Sequence, residues 1–289
     1  MIENREDEAI DILKHIFPHT GKAYIIGVTG NPGTGKSTLV YELTKRFLEK
    51  GQKLGIIAID PSSPFSGGAL LGDRVRLEKG DLDQNVFIRS MATRGILGGL
   101  SAATRDAVNV MDAMGRDIII IETVGVGQNE IDILDIDHTT LLVLAPGMGD
   151  KIQAMKSGLL EIADIFVVNK ADTDGADKTV RDVQSMLSLG PERQGWIPEV
   201  YKTIALNGDG ISDLIEGIER HKRYLEQNNL LGGNSYSESQ LLEIIKERIA
   251  ERILNEDNRR EKIRQYVKKI RKREIDPYTA ADMLLTRDK

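Results

Sequence analysis

Gly30-Asn31-Pro32-Gly33-Thr34-Gly35-Lys36-Ser37 follows directly on the apolar run Tyr24 to Val28 and leads into Thr38 to Glu49, a segment with helical amphipathic spacing. A strand, a G-x-x-x-x-G-K-[ST] loop and a helix, in that order, form a cradle for polyphosphate. Gly33 and Gly35 carry no Cβ, so the backbone can turn its N–H groups onto phosphate oxygens. Lys36 adds a positive charge at the β- and γ-phosphates, and the Ser37 hydroxyl is placed to ligate Mg²⁺. The helix that starts at Thr38 aims its positive dipole end at the same anion. A glycine turn joining a strand to a helix explains one of these features, but not all of them together. The expected nucleotide-binding set is Gly30, Asn31, Pro32, Gly33, Thr34, Gly35, Lys36, Ser37 and Thr38.

Outward from the loop, apolar runs recur at Leu54 to Ile59, Val86 to Ile88, Ile118 to Ile121, Leu141 to Leu144, Ile165 to Val168 and Val200 to Ala205. Helical patterns lie between them. Ala103, Ala107, Val110, Met111 and Met114 share one face, as do Ile152, Met155, Leu159 and Ile162. Alternation of this kind predicts an α/β domain, a P-loop NTPase with a mostly parallel sheet covered on both sides. Ligands then gather at the carboxyl ends of the strands. Ahead of the core, Ile10, Leu13 and Phe17 predict a short helix that Pro18 ends. Beyond the glycine-containing stretch after Asn228, Leu242, Ile245, Ile249 and Ile253 form an i, i+3, i+4 stripe, which Ile263, Val267 and Ile270 continue. The expected layout is a helical extension over residues 1–20, a nucleotide-binding domain over 21–230 and a helical arm over 231–289. The arm is too small to bury much apolar surface alone, so its stripe is expected to pack on the nucleotide-binding domain or, as the favoured reading, on a second copy.

The 289 residues carry 39 basic and 45 acidic side chains, a formal charge of -6, and no cysteine. The net charge disfavours nucleic acid and anionic membrane as partners. Lys268, Lys269, Arg271, Lys272 and Arg273 read as the solvated end of a helix rather than a nucleic-acid patch. Without thiols there are no disulfides or thiolate metal sites, and the histidines (His15, His19, His138, His221) are isolated in sequence. Residues 1–14 resemble neither a secretory signal nor a mitochondrial presequence, and no window is long and apolar enough to span a bilayer. A cytoplasmic protein is the expectation.

Asn169-Lys170-Ala171-Asp172 stands at the end of the strand Ile165 to Val168. The Asp172 carboxylate can accept from the guanine N1–H and N2 amine, whereas adenine offers an acceptor at N1 and no N2 donor. Lone pairs left unpaired in a pocket cost about 1 to 3 kcal/mol, which favours GTP over ATP. An isolated N-K-x-D is equally explained by a helix cap at Asp172, but the upstream phosphate loop favours base recognition. Asn169 and Lys170 would brace the loop and cover the base, and Ile204, Ala205 and Leu206 are placed for backbone contact with the guanine oxygen. Asp60 and Glu122 end two strands on the edge that carries Lys36, where Mg²⁺ needs oxygen ligands. Gly125 lies where a backbone N–H can sense the γ-phosphate.

Longer strings narrow the reading. Asp60-Pro61-Ser62-Ser63, Ser66-Gly67-Gly68-Ala69-Leu70-Leu71-Gly72-Asp73-Arg74, Glu122-Thr123-Val124-Gly125-Val126-Gly127-Gln128 and Pro146-Gly147-Met148-Gly149-Asp150 closely resemble the MeaB/ArgK-type GTPases associated with methylmalonyl-CoA mutase. The resemblance implies a GTPase, cycling between GTP and GDP with Mg²⁺. It further implies a chaperone that gates cobalamin loading and protects an adenosylcobalamin-dependent acyl-CoA mutase. A homodimer joined through C-terminal helices is implied too, with a cobalamin adenosyltransferase as a further candidate partner. Carried over by matching position, Lys36, Asp60, Asp73 and Glu122 are catalytic. Ser37, Asp60, Asp73 and Glu122 surround the metal, and Gln128, Asp150, Gln153 and Lys156 belong to switch or partner segments. Asn129 stands where the family usually has serine, and the N-terminal extension is short for the family. Small-molecule kinases and nickel-insertion GTPases share the phosphate loop. Asp172 argues against the first, and the lack of thiols and clustered histidines against the second.

Overall fold

The computed structural model describes residues 7–60, 85–92, 99–123, 136–147, 162–189, 195–231, 238–254 and 259–285. The chain divides into two compact units, Met1–Asn234 and Ser235–Lys289. In the first, seven strands form one sheet: β1 (Tyr24–Thr29), β2 (Leu54–Asp60), β3 (Val86–Ala92), β4 (Ile118–Thr123), β5 (Thr139–Leu144), β6 (Ile165–Val168) and β7 (Glu199–Lys202). Their order is β3-β2-β4-β1-β5-β6-β7, and every pairing is parallel. The expected α/β class is what the chain adopts.

Among the described residues, the α-helices of this unit are α1 (Asp7–Ile16), α2 (Lys36–Glu49), α3 (Gly99–Ala113), α4 (Ala176–Leu189) and α5 (Ile211–Gln227). The pleat sends alternate residues of each strand to opposite faces. Ile26 and Val28 of β1 join Leu39 and Leu43 of α2 and Leu214 and Ile218 of α5 in one core. Ile25, between them, faces the other way, into a second core with Ile57, Ile119, Val108 and Met111. A third, of Leu142, Leu144, Phe166 and Val183, sits under α4. Because both faces are covered, β1, β4, β5 and β6 are buried along their whole length. That is why they read as unbroken apolar runs rather than alternating ones.

Three local expectations shift. The last strand stops at Lys202 instead of reaching Ala205, because Thr203 turns away and its carbonyl accepts from Ala171 N–H at 3.0 Å. On α3, Val108 is sealed while Met114, just past the helix, is 45% exposed. The inward face there also carries Thr104, Asn109 and Asp112, whose polarity hides it from an apolar count. Asp112 accepts from the backbone N–H groups of Gly21 and Ala23 at 2.5 and 3.1 Å, and so ties the approach to β1 onto α3. Phe17, expected on the inner face of α1, is half-exposed, and Ala9 is the sealed residue of that helix.

The second unit holds α6 (Glu238–Leu254), α7 (Arg259–Arg271) and α8 (Pro277–Leu285). Asp276 caps α8, accepting from Tyr278 N–H and Thr279 N–H at 2.9 Å each. The Thr279 hydroxyl, donating to Asp276 Oδ2 at 2.5 Å, together with these N–H groups holds its carboxyl below the usual range. Arg259 Nη1 donates to the Leu284 carbonyl at 2.7 Å and closes the other end of α8 on α7. Leu242, Ile245 and Ile249 of α6 stay exposed. Among the described residues, no helix is long and apolar enough to cross a membrane.

Candidate functional site

The phosphate loop lies at the carboxyl end of the central strand, between β4 and β5. Gly30, Gly33 and Gly35 take φ of 140°, 81° and 91°, all on the side of the map that side chains disfavour. A Cβ on Gly30 would overlap the Val143 carbonyl, and one on Gly35 would overlap the Asn169 amide. One on Gly33 would meet nothing, so the middle of the loop faces open space while both ends are clamped. Lys36 is 7% exposed, and its Nζ donates to the carbonyls of Gly30 and Asn31 at 2.7 and 3.2 Å, curling the loop around the ammonium. Thr34 Oγ1 donates to the Asn31 carbonyl at 2.9 Å inside the same turn. Pro32 and Gly33 are exposed at the crest, and Thr38 is half-buried in the first turn of α2.

Two positions on the neighbouring strands complete this edge. Glu122 lies opposite Val28 of β1 and Ala58 of β2, and Asp60 ends β2 two residues beyond Ala58. Ser37 Oγ donates to Glu122 Oε1 at 2.6 Å, and Glu122 is 8% exposed. A hydroxyl and a carboxylate held together beside the loop are hard oxygen donors of the kind that Mg²⁺ takes, so this pair fits the ion. Asp73, Gly125, Gln128, Asp150, Gln153 and Lys156 lie outside the described residues, as does the expected helical pattern at Ile152, Met155 and Leu159.

The Asn169-Lys170-Ala171-Asp172 stretch, expected to read the base, is locked to the loop by Asn169. Its Nδ2 donates to the Thr34 carbonyl at 2.9 Å, and its Oδ1 accepts from Thr203 Oγ1 at 3.1 Å and Ala205 N–H at 3.0 Å. One sealed amide thus fixes the phosphate loop against the segment after β7. Lys170 has φ 59° and reaches back, its Nζ donating to the Gly33 carbonyl at 2.9 Å. Asp172 is exposed on the turn that follows. Ala205 is sealed, Ile204 is half-buried and bridges Asp209, and Leu206 is 84% exposed. Sequence reasoning named Ile204, Ala205 and Leu206 but not the Thr203 hydroxyl beside them. A contact across 34 positions leaves no spacing signal, and only a polar residue ending an apolar strand hints at it.

His138 and His221 sit far from this edge, at the amino ends of the strands. His138 Nδ1 accepts from Ile25 N–H at 3.0 Å, and Thr139 Oγ1 hydrogen-bonds His221 Nδ1 at 2.8 Å and the Tyr24 hydroxyl. Burial pushes both imidazoles down to about 4. Among the described residues, no group of three His, Asp or Glu side chains is gathered as a metal site.

The model of the methylmalonyl-CoA mutase-associated GTPase MeaB matches residues 1–259. The chain belongs to this family. A Pyrococcus abyssi protein provisionally named a GTPase is 46% identical over 290 residues, covering 99% of this chain and 89% of its own. The mouse methylmalonic aciduria type A homolog, a mitochondrial protein, is 34% identical over 266 residues, 90% of this chain and 64% of its own. The crystal structure of a LAO/AO transport system kinase superimposes with a TM-score of 0.67 at 28% identity, covering 95% of this chain and 84% of that one. This MeaB-family chain is therefore a GTPase that binds guanine nucleotide.

Proposed function

We propose that the protein is a GTP-driven chaperone of an adenosylcobalamin-dependent acyl-CoA mutase of the methylmalonyl-CoA mutase type, gating cofactor loading and protecting the enzyme from inactivation. The observation that carries this reading is the match to a family described as mutase-associated over residues 1–259, a span that contains the whole phosphate and base machinery. A GTPase serves such a task by binding its partner differently in its two nucleotide states, and a few kcal/mol of difference is enough to switch a complex.

The site supports a division of labour. Loop N–H groups and Lys36 hold the β- and γ-phosphates, and Asp172 reads the guanine edge above the Asn169 brace. Ser37, Glu122 and Asp60 would hold Mg²⁺, which would supply charge to offset that building on the phosphoryl oxygens. In-line attack by water on the γ-phosphate needs that water oriented, a role we assign to Asp60 or Asp73. Gly125 and Gln128 then respond to the γ-phosphate, while Asp150, Gln153 and Lys156 relay the change to the mutase. The exposed stripe on α6 suits a homodimer, and a cobalamin adenosyltransferase is a further partner within this reading.

The decisive experiment is affinity capture from the source cell with the protein loaded with a GTP analogue or with GDP. A cobalamin-dependent mutase retained in a nucleotide-dependent way is the expected outcome. Retention of a hydrogenase-maturation protein or ribosomes in its place overturns it. The structural neighbour described as a kinase supplies a second reading, transfer of phosphate to a small molecule. ATP preference together with a phosphorylated acceptor would establish that instead.

A further inference from the structure

The charge of α7 runs against that of the chain. Seven of its thirteen residues are basic and one is acidic, whereas residues 1–234 hold 25 basic against 34 acidic side chains. Arg264, Lys268 and Arg271 stand at i, i+4 and i+7, so they line one face of the helix over about 10 Å. All three are exposed, while Ile263, Tyr266 and Ile270 on the other side are half-buried. Lys269 lies over the Tyr266 ring at 5.8 Å, and Lys272 has Glu274 at 3.9 Å. Among the described residues, Arg264, Lys268 and Arg271 have no ion-pair partner.

Compensating a helix dipole needs cations only in the last turn, where Lys268, Lys269 and Arg271 already stand. Arg264 lies a turn earlier and adds nothing to that. Like charges at this spacing repel, so an unneutralised row works against the helix that carries it. Anionic groups laid along the row relieve the repulsion. Arg259 Nη1, at the start of α7, donates to the Leu284 carbonyl near the end of α8, so the two helices run antiparallel and Tyr278 stands at the Arg271 end. Tyr278 is 84% exposed, and Leu285, seven residues on along the same face, is 59% exposed. An exposed tyrosine and leucine beside free cations suit a protein face that sets carboxylates around an apolar centre. A nucleic acid or an anionic bilayer extends its charge far beyond three cations, and the formal charge of -6 on the chain repels it.

We propose that the Arg264–Lys268–Arg271 row on α7 is a docking surface for an acidic protein face, and that its occupant is the mutase. The occupant's identity rests on the reading of the protein as a mutase chaperone. Such a row speeds encounter and fixes orientation more than it prolongs the complex.

The test follows association of the source cell's cobalamin-dependent mutase with the full chain, loaded with a GTP analogue or with GDP, at about 0.01 and 0.15 M ionic strength. The triple variant Arg264→Glu, Lys268→Glu, Arg271→Glu should associate about 10- to 100-fold more slowly at low salt and lose the salt dependence of the wild type. Its GTP hydrolysis without mutase should be unchanged. Arg264→Lys with Arg271→Lys, which keeps every charge, should associate like the wild type. If the triple variant fails to fold, Lys268→Glu alone supplies the same comparison. A triple variant with the wild-type rate and salt dependence overturns the proposal, as does a charge-keeping variant as slow as the triple one. A wild type that binds no mutase in either nucleotide state overturns the chaperone reading and the occupant with it, whereas a wild type that binds beside an unimpaired triple variant overturns the row alone. Oligouridylate and vesicles of phosphatidylcholine with phosphatidylserine serve as rival probes. Binding to either that depends on the row, with mutase binding independent of it, overturns the acidic-protein occupant.

Discussion

Asn169 is the side chain on which the glycine loop, the N-K-x-D stretch and the segment after β7 converge. Three hydrogen bonds from one sealed amide join Thr34, Thr203 and Ala205, segments that no short spacing connects. Asn169→Ala leaves a buried carbonyl, a hydroxyl and an N–H without partners, at about 1 to 3 kcal/mol for each unsatisfied group. We expect GTP and GDP affinity to fall by the same factor, about tenfold or more, with a lower melting temperature, as checked by calorimetry. Asp172→Asn should behave differently, because that exposed carboxylate has no such structural duty. It should weaken GTP by about 10- to 100-fold and leave the fold intact and ATP unpenalised. Unchanged preference for GTP in that variant would remove Asp172 from base recognition. At this scale the glycine loop and its brace were legible in the sequence. Loop and N-K-x-D are contiguous strings whose chemistry follows from residue type, while Thr203 acts through a contact made only on folding.

At the level of elements, β1, β4, β5 and β6 were legible because a strand buried on both faces is apolar throughout. The inner face of α3 was not, since Asp112 faces inward to hold backbone N–H groups and breaks the apolar period. The end of β7 was misplaced because Thr203 to Ala205 are apolar enough for a strand but are drawn into the Asn169 brace. The amino ends of the strands carry a consequence for pH. His138 and His221 are ordinary near 6.5 when unfolded and are held at about 4 by burial. The unfolded chain therefore takes up protons first. Stability from this source is complete above pH 6.5 and is lost as pH falls from 6.5 toward 4, at up to about 1.4 kcal/mol per pH unit for each imidazole. Urea midpoints measured at pH 7.5, 5.5 and 4.5 should fall in that order. Replacing His221 with Asn should flatten part of the slope.

For the whole molecule, the nucleotide unit ends by Asn234 and the remaining helices form a unit of their own. Leu242, Ile245 and Ile249 lie in one row on α6 and are 47%, 43% and 48% exposed. A monomer rarely leaves such a row uncovered, and a second copy offers a symmetric partner surface. Ile245→Glu with Ile249→Glu should convert a dimer into a monomer in sedimentation, with GTP binding unchanged. A wild-type protein that sediments as a monomer at every concentration tested would remove the stripe from assembly.

Trp196, the single tryptophan, leans against His221 and Tyr224 with ring centroids 4.6 and 5.5 Å away, and its Nε1 donates to the Asp164 carbonyl at 2.9 Å. A protonated imidazole quenches indole emission. The molecule thus carries a built-in optical reporter at the end of the sheet remote from the phosphate loop. Its fluorescence should dim as His221 takes up a proton, and so announce the loosening of that end before the fold as a whole gives way.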